Sequence, residues 1–231
     1  METTPVAVAL VVAAGRGERL GSNRPKAFVA LAGRPMIEWS VDALRSVPSI
    51  MQVVVALPEG CEAPAGTLGV PGGSERSHSV RSALQAADPQ AEVIVVHDAA
   101  RPLATPELIQ RCIDALDEDG GWDAAIAAAP VKDTVKRSSD GVAVDETPPR
   151  DQLWAVQTPQ VFRRAALESA LAGSDDQLAA ASDDAMLVES NGGRVRLVDS
   201  KIENFKVTTQ ADLKHAEMVL GGESNAGGSN E

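Results

Sequence analysis

Short apolar runs alternate along the chain with segments of helical periodicity. The runs at Val6–Val12, Met51–Leu57, Val93–Val96 and Ala124–Ala129 are continuous and rich in small or β-branched residues, which is typical of strands buried on both faces of a parallel sheet. This alternation predicts an α/β fold with a mainly parallel sheet and crossover helices. The helical segments between the runs carry apolar residues every three or four positions: Ile37, Val41 and Leu44; Val80, Leu84 and Ala87; Leu108, Ile109, Cys112, Ile113 and Leu116.

The pattern changes over Lys132–Arg150. Two short alternating pieces flank the turn at Ser138–Gly141, so the segment predicts either a hairpin-like arm that projects from the sheet or an irregular surface loop. We expect a single domain over residues 1–220 and a flexible tail at Gly221–Glu231. After the arm, the pattern predicts helices near Arg163–Ala172, Asp184–Asn191 and Gln210–Leu220, with a strand at Val195–Val198.

Composition excludes several classes of protein. The 231 residues carry 21 Lys and Arg against 33 Asp and Glu, a net charge of −12, which argues against a duplex-DNA binder with a broad basic face. Aromatic residues are 3% of the chain, too few for a platform that stacks single-stranded nucleic acid. No apolar run is long enough for a membrane span, and Met1–Val12 does not have the pattern of a signal peptide. We therefore expect a cytoplasmic protein without nucleic-acid or membrane partners.

The segment Ala13–Lys26, directly after the first strand, is the sharpest candidate site. Glycines let backbone N–H groups approach an anion closely, and basic side chains then neutralise phosphate oxygens, so the segment predicts a polyphosphate cradle. The alternative is a surface turn with solvated charges. A local charge of +3 over residues 15–26 comes from Arg16, Arg19, Arg24 and Lys26 against Glu18.

The glycine spacing separates this segment from two known phosphate loops. A P-loop ends in Gly-Lys-Ser/Thr, and the chain contains no Gly-Lys pair. The dinucleotide fingerprint needs glycine at the position of Leu20 and an acidic residue at the end of a second strand, whereas Gly21 is one residue late and Glu38 falls in a helix. The remaining interpretation is a nucleoside triphosphate that is attacked at phosphorus.

Two further motifs are candidate sites, and the first of them falls at the same edge of the sheet. Asp98 ends the third long strand, where it could hold a divalent metal or position a hydroxyl group, or only pair with Arg101 in a structural turn. The pair Gly72-Gly73 leads into a helix whose first turn could contact a base edge, although Ser74 could equally be an ordinary helix cap. His78 is predicted to be a surface residue.

Taken together, the motifs resemble one family. They are Ala-Ala-Gly-x-Gly-x-Arg with Pro-Lys, Gly-Gly-Ser-Glu-Arg, His-Asp-Ala-Ala-Arg-Pro, Asp-Thr-Val-Lys, Gln-Thr-Pro-Gln, Ser-Asp-Asp-Ala and Asn-Phe-Lys-Val-Thr, in this order from Val6 to Leu220. The sequence resembles the 2-C-methyl-D-erythritol 4-phosphate cytidylyltransferases of the non-mevalonate isoprenoid pathway. Val12 and Ser74 depart from the family pattern, in which proline and an acidic residue are common.

The resemblance implies a Rossmann-like three-layer fold and transfer of a cytidylyl group from CTP to 2-C-methyl-D-erythritol 4-phosphate, with Mg²⁺ and release of pyrophosphate. It implies a homodimer in which the arm at 132–150 completes the partner's site. Magnesium would be held mainly by the triphosphate, with Asp98 as a candidate ligand. The implied catalytic residues are Arg19, Lys26, Arg150 and Lys206; the implied substrate contacts are Ala13, Ala14, Gly15, Gly17, Gly73, Ser74, Ser79, Asp98, Ala99, Arg101, Thr134, Thr158 and Ser182.

Overall fold

The computed structural model describes residues 6–15, 20, 24–200 and 203–226. Its strands are β1 (Ala7–Val12), β2 (Ala30–Leu31), β3 (Arg34–Pro35), β4 (Ile50–Leu57), β5 (Leu68–Pro71), β6 (Val93–Asp98), β7 (Ala124–Pro130), β8 (Trp154–Arg163) and β9 (Val195–Asp199). Its α-helices are α1 (Met36–Arg45), α2 (Arg76–Gln85), α3 (Pro106–Asp114), α4 (Arg164–Leu171), α5 (Asp175–Ala180), α6 (Asp184–Ser190) and α7 (Gln210–Ala226). Single 3₁₀ turns cover Lys26–Phe28, Glu118–Gly120 and Arg150–Gln152.

Within the described residues, seven strands form one sheet in the order β5-β4-β1-β6-β8-β7-β9. The pairs β4–β5, β1–β4, β1–β6 and β7–β9 are parallel, whereas β8 is antiparallel to β6 and β7. The predicted mainly parallel α/β sheet is confirmed. The order reverses at β1, so the carboxyl ends of β1, β4 and β6 open onto the same crevice, which is the usual ligand site of such sheets.

Apolar side chains cover both faces of the sheet. One face packs against α1 and α3, whose predicted stripes, including Ile37 and Cys112, are buried. The other face packs against α2, α4 and α6 through residues such as Val80 and Leu167. The chain therefore has the helix–sheet–helix layering expected of an α/β fold. None of the helices in the described part of the chain is both long and apolar enough to cross a membrane.

The strand β8 does not follow from the hydrophobic pattern. Polar residues Gln157, Thr158 and Gln160 and a proline, Pro159, interrupt the apolar run, and proline is unusual inside a central strand. The three polar residues are nevertheless buried because their side chains bond to neighbouring elements. The edge strand β5 and the short helix α5 were also missed.

The segment Lys132–Arg150 forms a loosely paired excursion between β7 and β8. An isolated antiparallel bridge joins Arg137 and Glu146, and Asp140 accepts backbone N–H bonds inside the turn. Val142 is 90% exposed. The segment therefore has the turn and a single bridge of the predicted arm, without a continuous ladder. At the other end of the chain, α7 continues past Leu220 to Ala226, so it extends into the predicted tail.

Candidate functional site

A cavity of about 540 Å³ opens at the carboxyl ends of β1 and β6. Its walls combine the backbone after β1, the start of α2 and the end of β6. The strand pattern predicted that the first and last of these share a crevice, and the family resemblance implied that the start of α2 joins them. The predicted residues that line it are Ala13, Ala14, Gly15, Lys26, Gly73, Ser74, Ser79, Asp98, Ala99 and Lys206.

The glycine pair before α2 allows one wall of this cavity to come close to the other. A Cβ on Gly72 would lie 2.3 Å from Cβ of Ala14, and a Cβ on Gly73 would lie 2.3 Å from Cβ of His78; real Cβ atoms do not approach so closely. The Ser79 hydroxyl accepts the Gly73 N–H at 3.0 Å and donates to the Glu75 carbonyl. The Ser79 hydroxyl therefore holds the Gly72-Gly73 turn in place, and the backbone of Gly73 lines the cavity.

The alternative interpretation of Ser74 as a helix cap is not borne out. Glu75 occupies the N-cap position of α2 and makes no side-chain capping bond. The Ser74 hydroxyl instead lies 3.0 Å from Nδ1 of His78, and that ring is mostly buried.

Asp98 lies at the centre of a cluster of cations. Its Oδ1 accepts from Nε of Arg76 at 3.2 Å, its Oδ2 accepts from Nζ of Lys206 at 2.8 Å, and Nε of Arg101 lies 3.8 Å from Oδ2. Burial opposes ionisation of this carboxyl, but Arg76, Lys206 and Arg101 together outweigh it and hold the pKa of Asp98 well below its usual range. The carboxylate is therefore charged and has a cation on each oxygen.

Arg76 also contacts a second carboxylate. Its Nη1 donates to Oδ2 of Asp184 at the first residue of α6, and the Asp184 side chain is 1% exposed. Burial raises the pKa of Asp184, although the positive charge of Arg76 acts in the opposite direction. The other oxygen of Asp184 has no hydrogen-bond partner among the described residues.

A hydrogen-bond chain fixes the orientation of His97 and Thr158. The Arg101 carbonyl can only accept, so Nε2 of His97 donates to it at 3.1 Å, and Nδ1 must then accept from the Thr158 hydroxyl at 3.1 Å. The same hydroxyl accepts the Asp98 N–H at 3.0 Å. Burial lowers the pKa of His97 to about 4, so the ring is neutral at physiological pH. Because the Thr158 hydroxyl donates its proton to His97, it can only accept a hydrogen bond from a ligand.

A second cavity of about 430 Å³ lies beside the first. Arg76, Asp98 and Lys206 line both cavities, so this charge cluster forms the boundary between them. The predicted residues Arg101, Thr158 and Ser182 line the second cavity. Two ligands placed in the two cavities would meet at the cluster.

Two of the predicted site residues are not brought to these cavities, and two more lie outside the described part of the chain. Arg19 and Gly17 lie outside the described residues. Thr134 and Arg150 are exposed on the arm and line neither cavity; Nη1 of Arg150 donates to the Lys132 carbonyl at 2.8 Å.

Sequence reasoning missed Arg76 and Asp184, although both stand inside motifs that it singled out. The two residues are 108 positions apart, and spacing along a chain does not indicate such a pairing.

The described side chains do not fit a magnesium ion held by the protein alone. Within the described ranges, His, Cys, Asp and Glu side chains form no group of three or more that could hold a metal. Both oxygens of Asp98, the predicted candidate ligand, already pair with cations. Magnesium commonly binds through substrate phosphates with few protein ligands, and such an ion would have to enter with its nucleotide.

Comparison with known proteins gives one consistent family. The family model of 2-C-methyl-D-erythritol 4-phosphate cytidylyltransferase (IspD) matches residues 7–222. The curated 2-C-methyl-D-erythritol 4-phosphate cytidylyltransferase of Frankia casuarinae is 47% identical over 94% of this chain and 82% of its own length. That of Deinococcus radiodurans is 45% identical over 95% of this chain and 91% of its own length.

Solved structures agree with the sequence matches. The Thermus thermophilus 2-C-methyl-D-erythritol 4-phosphate cytidylyltransferase aligns with a TM-score of 0.77 at 36% identity, over 93% of this chain and 98% of that one. The Anaerococcus prevotii 4-diphosphocytidyl-2C-methyl-D-erythritol synthase aligns with a TM-score of 0.79 at 30% identity, over 95% and 100%. The chain therefore belongs to the 2-C-methyl-D-erythritol 4-phosphate cytidylyltransferase family.

Proposed function

We propose that this chain transfers a cytidylyl group from CTP to 2-C-methyl-D-erythritol 4-phosphate, called methylerythritol phosphate below. The observation that carries the proposal is the pair of adjacent cavities whose common boundary is the cluster of Arg76, Asp98 and Lys206. A transfer between two bound substrates needs this arrangement, because the reacting phosphates must meet at one point.

The first cavity suits the nucleotide. Its edge is backbone at Ala13, Ala14 and Gly73, held close together by the Gly72-Gly73 turn. Backbone N–H and carbonyl groups in a narrow slot can contact a pyrimidine edge, while Lys26 at the same cavity carries a positive charge suited to phosphate oxygens.

The second cavity suits the acceptor. Lys206 and Arg101 supply positive charge for its phosphate, and Ser182 and Asp98 supply polar groups for hydroxyls. A phosphate oxygen of methylerythritol phosphate attacks the α-phosphorus of CTP, the bond from that phosphorus to the bridging oxygen of the β-phosphate breaks, and pyrophosphate leaves. No covalent nucleophile from the protein is required.

Charge neutralisation is the main work left to the protein in such a step. We assign it to Lys26 and to Arg19, by residue-for-residue match with the family. Because the described side chains do not fit a magnesium ion by themselves, we assign magnesium to the phosphate oxygens of CTP, with which it would enter.

We further propose that the active form is a homodimer in the cytoplasm. Thr134 and Arg150 match substrate contacts of the family, yet both are exposed on the arm of one chain. An arm with Val142 and Val144 exposed has apolar surface to bury against a second copy. In that dimer the arm of one protomer brings Thr134 and Arg150 to the site of its partner.

The test is pyrophosphate release from CTP, UTP, GTP or ATP, each with methylerythritol phosphate and Mg²⁺. The proposal predicts release with CTP that depends on the acceptor. A preference for another nucleotide would assign the chain to a different nucleotidyltransferase reaction, and absence of release with all four would leave a nucleotide-binding module without turnover.

A further inference from the structure

Arg76 contacts two buried carboxylates that come from different elements. Its Nε donates to Asp98 at the end of β6, and its Nη1 donates to Asp184 at the start of α6. The Arg76 side chain is 25% exposed and lines both cavities. A guanidinium is suited to this arrangement because its donors diverge in a rigid fork.

Two cations form hydrogen bonds to Asp98, one on each oxygen, and they differ in their freedom to move; the third, Arg101, stays 3.8 Å from Oδ2. Arg76 on Oδ1 is anchored at its other end by Asp184, whereas Lys206 on Oδ2 is 44% exposed and has a flexible aliphatic stem. Lys206 is also the cation expected to contact the acceptor phosphate. To bind that phosphate, its ammonium must share or give up the bond with Asp98.

A buried carboxylate that loses its only cation is strongly disfavoured. If Lys206 were the sole partner of Asp98, the carboxylate would compete directly with the phosphate for it. Arg101 does not remove this conflict, because its Nε lies 3.8 Å from Oδ2 and it is also assigned to the acceptor phosphate. Arg76, hydrogen-bonded to the other oxygen, does remove it.

We propose that Arg76 is a positioning residue that keeps Asp98 paired and so allows Lys206 to turn to the phosphate of the acceptor. Asp184 holds Arg76 in place, so that the guanidinium stays on Asp98 when an anionic ligand enters either cavity. This role rests on the proposed function, since it concerns the acceptor of that same reaction.

The role predicts a defect specific to the acceptor. Without Arg76, Asp98 holds Lys206 more tightly, so methylerythritol phosphate binds more weakly while the wall that contacts the nucleotide is unchanged. Loss of Arg76 also leaves Asp184 unpaired, and this separate effect lowers stability.

The experiment compares Arg76→Met, Arg76→Met with Asp184→Asn, Arg76→Lys and a control, Arg81→Met. Arg81 lies on the same helix and forms an exposed pair with Asp175. For each protein we would measure KM for both substrates, kcat, Tm, and calorimetric binding of methylerythritol phosphate with CTP present and magnesium removed.

Arg76→Met is expected to raise KM and the dissociation constant for methylerythritol phosphate at least about tenfold, the usual scale for losing a charged hydrogen bond. KM for CTP should stay within about twofold, a change below the energy of one hydrogen bond. The added Asp184→Asn should restore Tm and leave the acceptor defect, Arg76→Lys should recover part of the acceptor affinity, and Arg81→Met should match the wild type.

An acceptor KM for Arg76→Met equal to that of Arg81→Met would overturn the inference. It would also be overturned if adding Asp184→Asn to Arg76→Met restored both Tm and the acceptor KM, because the acceptor defect would then come from lost stability. A wild type that binds the acceptor without turnover would overturn the proposed reaction only, and the binding constants would then decide the role of Arg76. A wild type that does not bind methylerythritol phosphate would overturn both.

Discussion

Nζ of Lys206 lies 2.8 Å from Oδ2 of Asp98, so the cation expected to contact the acceptor phosphate is already paired with the carboxylate that both cavities share. The two residues come from elements that are far apart in the sequence, Asp98 from the end of the central strand β6 and Lys206 from the segment before α7. Asn204 holds that segment in place, because its amide donates to Gln157 and to the Thr158 carbonyl. The backbone that carries Lys206 is therefore held in place beside the cluster.

Replacement of Lys206 by Ala should lower kcat/KM for methylerythritol phosphate about a hundredfold or more, since it removes a preorganised charge at the reacting phosphate. The matched control is Lys214→Ala, an exposed lysine on α7, which should leave kcat/KM unchanged. Equal activity of the two variants would contradict the assigned role of Lys206.

Gly72→Ala should impair the nucleotide cavity, because the added Cβ would lie 2.3 Å from Cβ of Ala14 and 3.0 Å from the Leu57 carbonyl. Relief of this overlap must move one wall at a cost of about 1–3 kcal/mol, so KM for CTP should rise and Tm should fall. Gly221→Ala, where a Cβ meets nothing within 4 Å, is the control. Normal CTP kinetics in Gly72→Ala would show that the turn does not shape the site.

Thr158→Val should destabilise the protein by about 1–3 kcal/mol, because it leaves both Nδ1 of His97 and the Asp98 N–H without a partner. Urea unfolding measures the difference. Thr67→Val removes one hydrogen bond, to the partly buried Pro64 carbonyl, and should lower the free energy of unfolding by about 1 kcal/mol or less, a smaller loss than at Thr158. A Thr158→Val variant as stable as wild type would show that the hydrogen-bond chain contributes little.

The two cysteines should differ sharply in reactivity. Burial raises the pKa of the Cys112 thiol to about 12, so very little of it is thiolate at pH 8, and the side chain lies on the buried face of α3. Cys61 is partly exposed. A thiol reagent at pH 8 should therefore modify one cysteine per native chain and two after denaturation. Rapid modification of both in the native protein would contradict this packing of α3.

The arm can be tested by mixing two inactive variants. Lys26→Ala disables a protomer's own cavity, and Arg150→Ala disables what its arm gives to the partner. A mixed dimer would then contain one intact site, formed by Lys26 of one chain and Arg150 of the other, and random exchange should restore roughly a quarter of wild-type activity if each site acts independently. No recovery after confirmed subunit exchange would place Arg150 in its own protomer's site, and an Arg150→Ala variant that is active by itself would place Arg150 outside catalysis.

The sequence predicted the parallel strands because each is an uninterrupted apolar run that is buried on both faces. It missed β8 because Gln157, Thr158 and Gln160 are buried by bonding to distant side chains, which a local hydropathy pattern does not register. Glycine and charge content located the crevice at β1 and β6. Those features could not indicate the pairing of Arg76 with Asp184, since this pairing depends on how α6 packs beside α2.

The central claim is that an oxygen of the acceptor's phosphate becomes bonded to the α-phosphorus of CTP while the bond from that phosphorus to the pyrophosphate breaks. The most direct test supplies methylerythritol phosphate with ¹⁸O in its phosphate and follows the label by ³¹P NMR during turnover with unlabelled CTP and Mg²⁺. The account predicts that the label stays in the new cytidine diphosphate product and that the released pyrophosphate is unlabelled. Label in pyrophosphate, or in free inorganic phosphate formed in step with turnover, would mean that a different bond breaks and would contradict the account.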